Sequence, residues 1–274
     1  MDCRRMVRSK NFYIMLGITA ALLVLLIWLV AFTSDVDTMD HLVERKEQLA
    51  EDTDGLIVMD ITESDREEMQ MIREMSQLDF AQECINSGFL MVIVGIGAAL
   101  FINADFQSGF IRNICFARPR RRDYVLSKIL LVGVYSAALI VLSLLVALVF
   151  PYVFGMRPAA SSPVEILKYA FWLWLPYWAF GLMPLTLVLL TRSSTLAVVV
   201  SILGGCGFLA ALVRFLCQKF NWPELNQYML STVVSDRCVP MLSLSAMGFI
   251  LACVLAWAAA YAAASLVLMQ KRDI

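Results

Sequence analysis

The sequence predicts an all-α polytopic membrane protein, and three observations predict it. Of its 274 residues, 60% are hydrophobic and 16% charged, whereas a soluble domain has about 45–50% and about 25%. The apolar residues form six long runs. The charges are segregated: sixteen of the 23 acidic residues lie within residues 35–83, and the basic ones gather near the N-terminus and within residues 112–128. This pattern excludes a soluble globular enzyme, a disordered chain and a disulfide-stapled secreted domain.

A bilayer-spanning helix needs roughly 20 mostly apolar residues. Runs at 12–32, 88–103, 129–154, 166–190, 196–217 and 241–269 are the candidates. The first follows a basic segment, but it is too long for the apolar core of a signal peptide. Val30-Ala31-Phe32-Thr33 is also a poor cleavage site, so an uncleaved span is expected. Lys and Arg collect on the cytoplasmic side of membrane proteins. Six spans place Arg4, Arg5, Arg8 and Lys10, the 112–128 cluster, Arg192, and Lys271 with Arg272 on one side. The expected protein is therefore multi-pass in the cell membrane, with both termini cytoplasmic and residues 33–87 outside.

Residues 33–87 read as a small acidic, helical insertion between the first and second spans. Met39, Leu42, Val43 and Leu49 recur at helical spacing, and Ser64-Asp65-Arg66-Glu67 has the form of a capping box. A cap that touches substrate and a solvated linker both fit. The acids lack calcium-loop spacing, so no metal site is expected. Cys84 and Cys238 are the two cysteines placed outside near membrane level. They form a disulfide in one reading and remain unpaired thiols in the other.

Catalytic chemistry is missing from the sequence. It has no G-x-x-x-x-G-K-[ST] to cradle phosphates and no H-E-x-x-H, and its one histidine, His41, lies outside every apolar run. No acidic residue sits deep within a span, where ion-coupled carriers keep one. The chain is expected to bind no cofactor and to catalyse no reaction.

The connection between the second and third runs carries the most information. Asp105 closes the second run. Phe106, Phe110, Ile111 and Ile114 recur every three or four residues with Gly109 among them, the pattern of a short amphipathic helix at the membrane surface. Pro119 then breaks the chain among Arg112, Arg118, Arg120, Arg121 and Arg122, and Lys128 opens the third run. Taken alone, this is also a positive-inside loop that holds lipid headgroups.

The order of these features resembles the first cytoplasmic loop of the permease subunits of type-2, six-helix ATP-binding-cassette exporters. There an acid closes the second span, a glycine-containing short helix follows, and an Arg-Pro-small-Arg-Arg run precedes a lysine. Asp105, Gly109, Arg118, Pro119, Arg121, Arg122 and Lys128 match. Asp105 stands for the usual glutamate, Phe110 where threonine is common, and Arg120 for a small residue. The likeness is close over residues 103–128 and loose elsewhere.

The resemblance implies one transmembrane permease domain over residues 1–274, with residues 104–127 as a coupling-helix loop. That loop would seat on a separate ATP-binding-cassette ATPase subunit, which holds ATP and Mg. The implied coupling residues are Asp105, Phe106, Gly109, Phe110, Arg112, Ile114, Arg118, Pro119, Arg121 and Arg122. Phe106, Phe110 and Ile114 would form an apolar ridge, and Asp105 would pair with a nearby arginine or cap the short helix. A second permease, the same chain or a sister, completes a path for an amphiphilic substrate, whether peptide, antibiotic or lipid-like. The lipid membrane is a partner and nucleic acid is not. The alternative is an ATP-independent receptor or assembly scaffold whose acidic outer segment binds a partner.

Two features inside the spans bear on that path. Trp174 and Tyr177 belong to an aromatic cluster that is either an interfacial belt or a wall against substrate. Pro176 and Pro184 are expected to kink the same helix. Gly204, Gly205 and Gly207 either let helices approach closely or break the fifth span beside a cavity. Residues 218–240 are apolar enough to dip back toward the membrane.

Overall fold

The computed structural model describes residues 6, 9–33, 75–86, 88–107, 120–156, 158–239 and 243–271. Among them the fold is helical, as lipid demands of a chain that must satisfy its backbone polar groups internally. The structure is that of a polytopic all-α membrane protein. Five helices are long and apolar enough to cross a bilayer, and a bent pair makes a sixth candidate. The acidic insertion lies largely outside the described residues.

The first crossing helix, α1 (Lys10–Thr33), is apolar all round. It buries Thr19, Leu23 and Ile27, spaced four apart, and leaves Tyr13, Ile14, Leu25 and Leu29 exposed, as befits a helix at the rim facing lipid. A short helix, α2 (Gln77–Asn86), leads into α3 (Phe89–Gln107). The long helices α4 (Arg120–Val153) and α5 (Pro163–Thr191) follow. Next come α6 (Ser194–Gly205) and α7 (Phe208–Phe220), a 3-10 turn (Leu225–Tyr228), α8 (Leu230–Arg237) and α9 (Leu244–Lys271).

Helix α5 is the axis of the bundle. Of its apolar window 72% is buried, against 17% for α1, and it packs on α3, α4, α6 and α9. Despite Pro176 and Pro184 it runs uninterrupted. Polar groups register it against its neighbours. The Trp174 and Trp178 indoles stack 5.8 Å apart and donate to the carbonyls of Gly133 (2.9 Å) and Ile129 (3.0 Å) on α4. The two donors and the two acceptors share the same four-residue spacing, so the clasp fixes rotation as well as distance. On the α9 side, Thr186 donates to the Tyr261 carbonyl at 3.2 Å and lies 3.0 Å from the Ser265 hydroxyl.

Away from Asp105, the chain entering α2 is strapped to the α4–α5 connection. Gln77 N–H donates to the Ala159 carbonyl at 3.0 Å, and its side-chain amide donates to the Tyr152 hydroxyl at 2.7 Å. This strap fixes where the acidic insertion rejoins the bundle.

The fifth span is broken. Helix α6 is roughly 18 Å long, too short for a hydrocarbon core of about 30 Å, and α7 departs from it at 67°. The bend sits at Cys206–Gly207, and Gly207 has φ 74°, a left-handed conformation that glycine adopts without a Cβ penalty.

Candidate functional sites at the two ends of the bundle

One site lies where α3 ends and α4 begins. Both helices run further into the polar connection than the apolar runs imply. Helix α3 continues to Gln107, which places Asp105 and Phe106 in its last turn, and α4 starts at Arg120. A run of arginines at a helix N-terminus opposes the macrodipole, and Asp123 in the first turn offsets it.

Asp105 and Lys128 face each other across the two helices, 2.6 Å apart, with side chains 8% and 4% exposed. The Tyr124 hydroxyl donates to the same Asp105 oxygen at 3.2 Å, and Lys128 lies 5.3 Å from the Tyr124 ring centroid. Among the described residues the carboxylate meets Lys128 and Tyr124; the arginine or helix cap expected for it belongs to a loop outside them. The pair ties together both ends of residues 108–119, which lie outside the described residues and contain Gly109, Phe110, Arg112, Ile114, Arg118 and Pro119. Phe106 packs half-buried against the main core. Arg122 is exposed on the first turn of α4. Arg121 is helical, and its side chain lies outside the description.

The second site is a cavity of about 370 Å³ at the opposite end of the bundle, beside the break in the fifth span. The break brings α6 against the start of α3. A Cβ on Gly205 would lie 2.8 Å from the backbone nitrogen of Val92, and one on Gly88 would lie 2.9 Å from the Gly205 carbonyl. Two glycines therefore allow backbone-to-backbone approach, and the cavity opens where the helices diverge.

Tyr177, Gly205 and Gly207 line this cavity. Tyr177 is fully buried, and its hydroxyl donates to the Ile85 carbonyl at 3.5 Å. Gly204 does not line the cavity and faces the Phe180 ring. Trp174 does not line it either, since its indole is spent on the α4 clasp. Sequence reasoning missed Arg214, Asp236, Asn86 and Asn226, which also line the cavity. Of these, Arg214 carried a signal, as a charged residue inside an apolar run. Asn86 and Asn226 each hold a buried amide oxygen with no partner among the described residues.

Cys238 carries a free thiol, so no disulfide joins it to Cys84. They sit in different apolar clusters, Cys84 against Leu23 and Ile27 of α1 and Cys238 in the main core. Burial, with Glu83 alongside, pushes the Cys84 thiol up to about 12, and burial pushes Cys238 equally far. Cys206, on the rim of the cavity, is exposed. Among the described residues no cluster of His, Cys, Asp and Glu could hold a metal ion.

No curated protein matches the chain. A family model described as "ABC-2 family transporter protein" matches residues 4–208.

Proposed function

The chain belongs to the ABC-2 transporter family, and from that premise we propose that it is the permease of an ATP-driven exporter of amphiphilic molecules. Membership makes it a multi-pass membrane component of an ABC transporter and implies an ATP-binding subunit. In the proposed complex that subunit is a separate ATPase holding ATP and Mg. It seats on residues 104–127, and a second permease, identical or sister, closes the path. Both termini are cytoplasmic, and residues 33–87 form the outer insertion of a single domain.

The buried Asp105–Lys128 pair carries this reading. A buried ion pair is poor value as a stabiliser, because desolvation offsets its Coulomb gain and apolar residues often serve better. It does fix geometry. Here it clamps the two helices that enter and leave the loop, so a push on residues 108–119 is delivered to α3 and α4 together. Helix α3 is roughly 28 Å long, and its other end contributes Met91 to the cavity and Val92 to the Gly205 contact. One rigid helix thus links the loop to the cavity. The chain supplies position and a polar hollow in an apolar bundle, and the chemistry of hydrolysis belongs to the partner. Cavity and exposed apolar helix faces together suit a substrate with a polar head and an apolar body.

The test is to copurify the chain with its ATPase and measure hydrolysis with and without amphiphile. Asp105→Ala and Gly109→Leu should insert yet lose stimulated hydrolysis or ATPase binding. Full assembly and hydrolysis in both variants would make the loop a lipid-binding segment instead.

A further inference from the structure

The cavity beside the Cys206–Gly207 break carries charges that the coupling mechanism does not use. Helix α7 presents Gly207, Ala210, Ala211 and Arg214 to it, at i, i+3, i+4 and i+7. Among the described residues no carboxylate forms an ion pair with Arg214. An arginine within a broken span is costly unless it faces a cavity or a partner charge. The start of α7 adds free N–H groups, since Gly207 has no side chain to cap them. Asp236, whose carboxylate takes a 2.8 Å hydrogen bond from Ser235, lines the same cavity, as do Asn86 and Asn226.

The cation and the carboxylate come from separate elements, Arg214 from α7 and Asp236 from α8. The adjoining face of α7 exposes Phe208, Leu212 and Phe215 along one stripe, which gives an apolar body somewhere to lie beside the cavity.

We propose that this cavity binds the zwitterionic head of an amphiphile, a phosphate or carboxylate at Arg214 and the α7 N-terminus and a primary ammonium at Asp236. This rests on the export reading and narrows it to a head-group class. Its volume of about 370 Å³ lies within the usual range for small-molecule sites. An ammonium with N–H donors suits the Asp236 carboxylate better than a quaternary one, which has none to give.

Cys206 offers a local readout. It is exposed on the cavity rim, whereas Cys84, Cys217, Cys238 and Cys253 are buried. The full chain in a neutral maltoside detergent is alkylated with iodoacetamide, and modification at Cys206 is followed by peptide mass spectrometry. Lysophosphatidylethanolamine should protect Cys206, and lysophosphatidylcholine, with the same anion but no N–H, should protect it less. Free phosphoethanolamine should protect only at far higher concentration. Arg214→Gln should raise the protecting concentration roughly tenfold or more, as loss of a charge-assisted contact does, and Arg214→Lys should recover part of it.

Equal protection by both lysolipids, or unchanged protection in Arg214→Gln, would overturn the proposal. So would equal potency of free phosphoethanolamine, or protection by a cationic amphiphilic peptide alone. Transport assays separate the two readings. Lost protection with intact export removes this site and leaves the exporter standing. Protection without ATP-driven export does the reverse.

Discussion

Lys128 and Arg214 both bring a positive charge to a bundle of apolar helices, and their surroundings differ. Lys128 is 4% exposed and lies 2.6 Å from Asp105. Arg214 is exposed at a cavity, with no ion-paired carboxylate among the described residues. The first charge is satisfied within the chain and holds two helices together. The second has polar company that is incomplete without something added. A neutralised charge in a membrane bundle reads as part of the frame, and an exposed one lining a cavity reads as a site.

The sharpest way to break the comparison is to strip Lys128 of its partner. Asp105→Ala leaves a buried ammonium uncompensated, and removing one member of a buried pair costs about 3–5 kcal/mol. The thermal unfolding midpoint of the purified chain should fall steeply, and that of Asp105→Asn should fall less. An unchanged midpoint would mean that Lys128 reaches water and that the two cations do not differ.

Gly205→Val probes the frame near the cavity. Its Cβ would meet the backbone nitrogen of Val92 at 2.8 Å, and backbone cannot swing aside as a side chain can. Overpacking of this kind costs about 1–3 kcal/mol, with α6 and α3 forced apart. Cys206 alkylation should therefore accelerate as stability falls.

Trp174→Phe keeps most of the buried ring and removes one indole donor to the Gly133 carbonyl. A net loss of about 1 kcal/mol is expected, with no change in Cys206 alkylation. A large change there would return Trp174 to the cavity wall. Arg214→Gln should be the mildest for the fold, within about 0.5 kcal/mol, as for exposed positions generally. Its unfolding midpoint should match the parent while ligand protection of Cys206 weakens, which is the contrast with Asp105→Ala in a single pair of variants.

Much of the frame was legible because lipid forces it. Every apolar run had to be a helix, so counting runs recovered the crossing elements and the fold class. Helix ends were less legible, because α3 and α4 continue into polar positions that composition reads as loop. Asp105 and Lys128 are 23 positions apart in the chain, and only the α3–α4 hairpin makes them neighbours. The glycines at 205 and 207 announced a break or a close approach, and the structure shows both. The cavity's polar lining was not legible. Asn86, Arg214, Asn226 and Asp236 come from separate elements, and no spacing relates them. The packing of Trp174 was not legible either, because an aromatic near a span end reads as a belt or as a wall against substrate. Nothing in the sequence shows that its partner is a carbonyl at Gly133, where the missing side chain leaves room.

The central claim is that the Asp105–Lys128 pair makes the 104–127 loop a rigid handle for the ATPase. Charge exchange tests it most directly. Asp105→Lys, Lys128→Asp and the double exchange are each copurified with the ATPase, and amphiphile-stimulated ATP hydrolysis is measured. Each single variant should lose stimulation, and the double exchange should recover a substantial share by restoring the pair in reverse. Single variants that hydrolyse like the parent would contradict the claim, as would a double exchange no better than the worse single variant.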